Sequence, residues 1–336
     1  MKTYFYHQLN ELDQKVYDEI VDELCQGRLK IEVSNLNSVN KVIIDIFNNY
    51  PEFFWIAPEA RTIKTLLKNV IQFKPLYSAS DITKYQNQIK KLVQKFISKN
   101  INVHQTDYDK VLILHDYLKN SIEYDHQAVL HTNDGTNNYA YAYNLVGALL
   151  KHKCVCDGFA KAMKYLCDQI GIECYVVHGV GSNMQDSGPH AWNIVRIDGC
   201  YQHVDVTWDN QFMDDNFPLY AYLNLDDKTI ARDHSWDKRF YPVCTSLEYN
   251  YFKINNALID SKAQLKKFLI DSFSLEERII QYRVDKDSRL ASEIFDCYET
   301  ITQEAMRACK FVRIGNIQVQ YQMEQLVFMV VPQYIN

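Results

Sequence analysis

The chain of 336 residues is 47% hydrophobic, enough to bury a large core and to form two or three packed units. Its 42 acidic and 36 basic residues give a net charge of -6, and Lys and Arg do not cluster as a phosphate backbone would require, so nucleic acid is excluded as an expected partner. The first 20 residues carry acids and amides where a secretory signal would be apolar, and nowhere do about 18 apolar residues run together, which predicts a cytoplasmic protein without membrane association. Nine scattered cysteines fit free thiols in a reducing compartment, each most simply a small buried hydrophobe.

In chain order, residues 10–26 set Leu12, Val16, Ile20 and Leu24 on one helical face and stop at Gly27. A second helix is expected over 38–49. The segment TIKTLLKNVIQFKPLYSAS, rich in β-branched and aromatic residues and broken by Pro75, predicts a strand pair. Ser80 and Asp81 then offer caps to a helix with Ile82, Tyr85, Ile89, Leu92 and Phe96 on one face, and another helix follows over 107–120. Phe159, Ala160, Met163, Leu166, Cys167 and Ile170 recur at helical intervals and predict a helix over 157–170, with Gly171 as its stop. HAWNIVRIDGCYQHVDVTWD reads as two strands turning at Asp198-Gly199.

Beyond residue 250 the pattern predicts a strand at Tyr251 to Ile254, a helix over 261–272, a strand, a long helix over 287–308 and two closing strands. Of these, Leu326 to Val331 reads as a core strand. Boundaries near 100 and 246 divide the chain into a mainly helical region (1–100), a central core (101–245) and a C-terminal α/β extension (246–336).

Two cysteines flank the start of the central helix. Cys156 sits in its first turn, where unpaired backbone N–H groups and the helix dipole favour a thiolate; Cys154 lies outside that field. A thiolate nucleophile needs a histidine to hold its proton and a third group to orient the ring. If Asp198 and Gly199 form the turn, paired positions sum to 397, and His190 and Asp205 become diagonal neighbours on one face of the hairpin, within side-chain reach. That face carries His190, Trp192, Ile194, Arg196, Tyr201, His203, Asp205 and Thr207, whereas Ala191, Val195, Ile197, Cys200, Val204, Val206 and Trp208 read as the core face. His203 lies too far along the partner strand to be the first choice of base, and Asp209 lies past the pairing. Singly, each of these residues has an ordinary structural reading: a packed thiol, a satisfied strand histidine, a capping aspartate. Together they form a Cys-His-Asp set.

The segments VCDGFAKAMKYLCDQIGIEC, HAWNIVRIDGCYQHVDVTWD and LHDYLKNSIEYD resemble the bacterial transglutaminase-like superfamily, and the resemblance spans about 108–245. It implies an α+β fold with a papain/transglutaminase-like core, in which a nucleophile helix packs on an antiparallel sheet. It also implies Cys156 as nucleophile, His190 as general base and Asp205 as the orienting acid. The family often has Gly two residues before the nucleophile, where this chain has Cys154. For a second oxyanion donor or a substrate-side contact, the candidates are Tyr141, Tyr143, Asn144 and Trp192, beside the Cys156 backbone N–H.

The expected function is a cysteine-dependent acyl transfer on amide bonds through a thioester on Cys156, as a peptidase, amidase, deamidase or transamidase, with a protein or peptide substrate and no cofactor. The alternative is a catalytically silent binding or scaffold protein that keeps this fold. His152, Cys154 and Cys156 could also be read as zinc ligands, but their alternate spacing lacks the two-residue gap of zinc knuckles, so no metal is expected. The polar stretch GVGSNMQDSGPH before His190 offers either a cleft-lining loop or a plain solvated connection.

Overall fold

The computed structural model describes residues 3–64, 68–131, 138–183, 187–211, 219–310 and 312–335. The N-terminal region contains helices Glu11–Cys25, Leu36–Asn49 and Ala79–Asn100 and a small sheet of Lys30–Glu32, Asn69–Gln72 and Arg61–Lys64. The expected strand pair is therefore present, with its connection outside the described residues. The third helix begins one residue before the expected caps, because the Ser78 side chain accepts from the Asp81 backbone N–H.

Helix Asp107–Ser121 opens on a capping box of Thr106 and Asp109. Helix Cys156–Gln169 lies against a five-stranded antiparallel sheet ordered His234–Trp236, Cys174–Ser182, Ser187–Ile197, Cys200–Val204, Leu223–Leu225. Mixed helices and antiparallel strands in this arrangement make an α+β fold, with the helix packed on an antiparallel sheet as expected.

At the hairpin tip Asp198 and Gly199 have φ of 46° and 90°, the left-handed pair that a tight two-residue turn requires. The register follows from that turn: Ile197 pairs with Cys200 and Asn193 with Val204. Pairing then stops earlier than the sequence suggests. Val206–Gln211 is a short helix rather than strand, and the Asp205 side chain accepts from the Trp208 N–H at 3.1 Å within its first turn. The stretch before His190 is largely strand as well, since Gly179 to Ser182 pair with Ser187 to His190; residues 184–186 lie outside the described residues.

The two faces of the hairpin are not core against solvent. Ala191, Asn193 and Val195 are buried on one side, and Trp192, Ile194 and His203 are equally buried on the other. The sheet is covered twice, by the Cys156–Gln169 helix on one face and by a satellite cluster of Tyr175, Val177, Trp192, Ile194 and Cys244 on the other.

One apolar core runs from Tyr6 through the N-terminal helices to Leu114, Phe159, Met163 and Val195. It crosses residue 100 without a break. A second core joins Trp208, Tyr222 and Leu225 to the C-terminal sheet, ordered Leu258–Ile259, Ile280–Val284, Val327–Tyr334, Ile314–Gln322, and to helices Lys262–Ser274 and Leu290–Ala308. Tyr251–Ile254 is a helical turn and not a strand, because the Asn250 side chain accepts from the Phe252 N–H and starts it as an N-cap. Val327 to Val330 are buried, as a core strand requires. No helix among the described residues is long and apolar enough to cross a membrane.

Candidate active site

Cys156 is the first residue of its helix, after Val155, whose side chain makes no capping bond. The positive end of the helix therefore faces whatever charge the sulfur or its substrate carries. The thiol is half-buried and packs on Ala160, Val176 and Ala191. Ala191 adjoins His190, and the Cys156 thiol lies close enough to the imidazole to act on it. Its other nitrogen is committed: His190 Nε2–H donates to Asp205 Oδ2 at 2.6 Å. Nδ1 is thus left to meet the sulfur. Trp192 stacks beside the ring at 5.9 Å between centroids and Trp208 lies 5.2 Å away, which shields the His190–Asp205 bond from water.

Burial pulls the His190 imidazolium down, but the Asp205 carboxylate and the neighbouring Cys156 outweigh it and bring the group to about 9. Burial likewise pushes the Asp205 carboxyl up, and His190 and His234 reverse this, holding it below the usual carboxylate range. Cys154 differs sharply from its neighbour. It is fully buried, and desolvation raises its thiol well above the ordinary value. Gly158 supplies the space, since a Cβ there would lie 2.5 Å from Cys154 Cβ.

The remaining candidates have other partners. Tyr141 Oη–H donates to Asp125 at 2.7 Å, and Tyr143 Oη–H donates to the Ala128 carbonyl at 3.4 Å. Asn144 is consumed locally: its amide donates to the Ala140 carbonyl at 2.8 Å and to Tyr77 Oη, and its oxygen accepts from the Val146 N–H. Trp192 is buried and donates to His203 Nδ1 at 3.0 Å, which turns its indole N–H away from the thiol. His203 Nε2–H in turn donates to Asp227 at 2.9 Å, and Asp209 accepts from His115 at 2.9 Å, so neither competes at His190.

A cavity of about 340 Å³ adjoins the first turns of the same helix. Phe53, Phe54, Ile56 and Tyr143 form its apolar walls, while Asp157 and Lys161 supply charge. Asp157, the residue after the thiol, accepts from His178 Nε2 at 2.8 Å.

Two residues beyond the sequence reading complete the polar core. His234 Nε2–H donates to the same Asp205 Oδ2 at 3.1 Å, and its Nδ1–H donates to Asp233 at 2.6 Å. Neither has a periodic signal, because His234 opens, and Asp233 directly precedes, an edge strand that reaches Cys174–Ser182 only through long-range pairing. Among the described residues, two sets of three donor groups lie close enough to share an ion: His190, Asp205 and His234, and His203, Asp227 and Cys244. In both, hydrogen bonds within the set engage the histidine Nε2 atoms, which gives the spacing a sufficient explanation. His152, Cys154 and Cys156 do not form such a set.

Residues 95–206 match the family model of the transglutaminase-like superfamily. This central segment, about a third of the chain, is transglutaminase-like. Kyphoscoliosis peptidase of Mus musculus is 24% identical over 156 residues, which cover 44% of this chain and 23% of that protein. The Homo sapiens protein of the same name is 25% identical over 170 residues, covering 48% of this chain and 24% of the relative. The match therefore spans about a quarter of the length of these curated relatives. A crystal structure of a TGase is 19% identical, with 56% of this chain and 53% of that one covered at a TM-score of 0.31. The match is thus to a superfamily of typically cysteine-dependent enzymes, over residues 95–206.

Proposed function

We propose that the protein is a cysteine-dependent acyl-transfer enzyme acting on amide bonds through a thioester on Cys156. The observation that carries this reading is the meeting of a helix-start thiol with an imidazole whose far nitrogen is held by a buried carboxylate. The Cys156 sulfur attacks the amide carbonyl carbon while His190 holds the thiol proton. The carbonyl C–N bond then breaks as that proton passes to the departing amine. Water or a second amine attacks the thioester, gives its proton to His190 and releases the sulfur, yielding an acid or a new amide. Asp205 holds the ring orientation throughout, and the first-turn N–H groups face the developing oxyanion.

The cavity beside Asp157 supports a peptide or protein substrate that presents an apolar side chain next to the scissile bond. Nine free thiols suit a reducing compartment, in line with a cytoplasmic setting.

The first test needs no known substrate. At neutral pH iodoacetamide is expected to label Cys156 well ahead of the other eight thiols, and His190→Ala is expected to remove that preference, as read by peptide mass spectrometry. Peptide-library turnover with and without added amine then separates hydrolysis from transamidation. Uniform labelling of the thiols, together with no turnover that depends on Cys156, would leave a binding or scaffold protein.

A further inference from the structure

The sequence reading leaves Asp205 with one histidine; the structure gives it two. Three donors converge on this carboxylate: His190 Nε2–H and His234 Nε2–H on Oδ2, and the Trp208 backbone N–H on Oδ1. Asp233 is equally satisfied, by His234 Nδ1–H on Oδ1 and by Tyr222 Oη–H and Gln325 Nε2–H on Oδ2, the last two at 2.8 Å each. Carboxylates so supplied with donors stay ionised, and an ionised carboxylate can only accept. Both ring nitrogens of His234 must therefore carry a proton. The buried ring is an imidazolium between two anions, and its centroid lies 5.3 Å from that of His190.

We propose that His234 is a positioning residue for the active-site carboxylate, a fixed cation that holds Asp205 against His190 and offsets part of its charge. The proposal rests on the assignment of Cys156, His190 and Asp205 given above. Because Oδ2 serves two imidazoles at once, its pull on His190 is shared. His190 therefore holds its proton less tightly than it would beside an undivided carboxylate, and can release it to a leaving amine.

The charged and titratable groups around His234 are few. Asp205 and His190 face it, Asp233 precedes it, and His203 acts on it from the Cys200–Val204 strand. Tyr222 reaches it through Asp233, on which the cations Arg232 and Arg283 also act.

Removing one charge of either sign from this buried group must move His190 in opposite directions, by about one unit or more for a charge at this range. The experiment follows the His190 imidazole by NMR through a pH titration of the full chain labelled with [15N]histidine, the signal being assigned by its loss in His190→Gln. His234→Gln is expected to move the His190 titration up, and Asp233→Asn to move it down, with both variants folded by circular dichroism. A His190 titration that stays put in His234→Gln, or that moves the same way in both variants, would overturn the proposal. Should His234→Gln not fold, the direction in Asp233→Asn decides alone. Selective iodoacetamide labelling of Cys156 in the unmodified chain is measured alongside: its absence defeats the enzymatic reading, whereas its presence with unmoved titrations defeats only the role of His234.

Discussion

At the scale of single residues, the polar core is a sequence of proton donors and acceptors with little freedom left in it. Asp205 is fully buried and held below its ordinary value of 3.8, so its contribution to folding is present above that pH and fades as the medium becomes more acid. His190 is raised from 6.5 to about 9, so its contribution is complete below 6.5 and is lost as the pH rises through about 9. The two windows overlap between pH 3.8 and 6.5. Urea unfolding across pH is expected to show this pair's stabilisation at its greatest in that interval, with a decline on each side, and Asp205→Asn to flatten both slopes. Cys156, His190 and Asp205 could each be singled out in the sequence, because a helix start and a two-residue turn are local signals. His234 could not, since the bond that gives it a role joins residues 29 apart in the chain through an edge strand of three residues.

At the scale of elements, the nucleophile helix depends on close approach at its first turn. A Cβ at Gly158 would lie 2.5 Å from Cys154 Cβ and 2.6 Å from the Ala142 carbonyl oxygen, and neither the backbone oxygen nor the packed thiol can retreat cheaply. Gly158→Ala is expected to cost about 1–3 kcal/mol of stability through overpacking. It is also expected to slow labelling of Cys156, because the helix start must shift away from Cys154 and Ala142; thermal unfolding and labelling rates measure the two effects. The longer helices were legible in the sequence, as in Glu11–Cys25 from its apolar spacing, whereas short ones such as His126–Leu130 and Asp227–Ile230 were not. The errors fell on short stretches. Tyr251 to Ile254 and Val206 to Gln211 have strand-like composition over four to six residues, and local side-chain bonds from Asn250 and Asp205 turn them into helix.

At the scale of the molecule, two apolar cores share the chain, and the segment around Trp208, Tyr222 and Leu225 belongs to the second. The C-terminal region also serves the polar core, since Gln325 donates to Asp233 and Gln322 donates to Tyr222 Oη. A chain ending at residue 245 would expose the apolar side chains of that segment and leave Asp233 without Gln325. Such a truncation is expected to be largely insoluble on expression, or to unfold at a clearly lower temperature than the full chain, as soluble yield and thermal denaturation would show.

The amino-acid sequence by itself determined the helices, the Asp198-Gly199 turn and the hairpin register, because periodicity and turn chemistry act between residues close along the chain. Only the tertiary structure decided that the hairpin is buried on both faces, that the N-terminal helices share the core of the nucleophile helix, and that Asp205 answers to two histidines. Those outcomes depend on which distant segments cover a surface and which polar groups must then find partners away from water, and no local pattern carries that information.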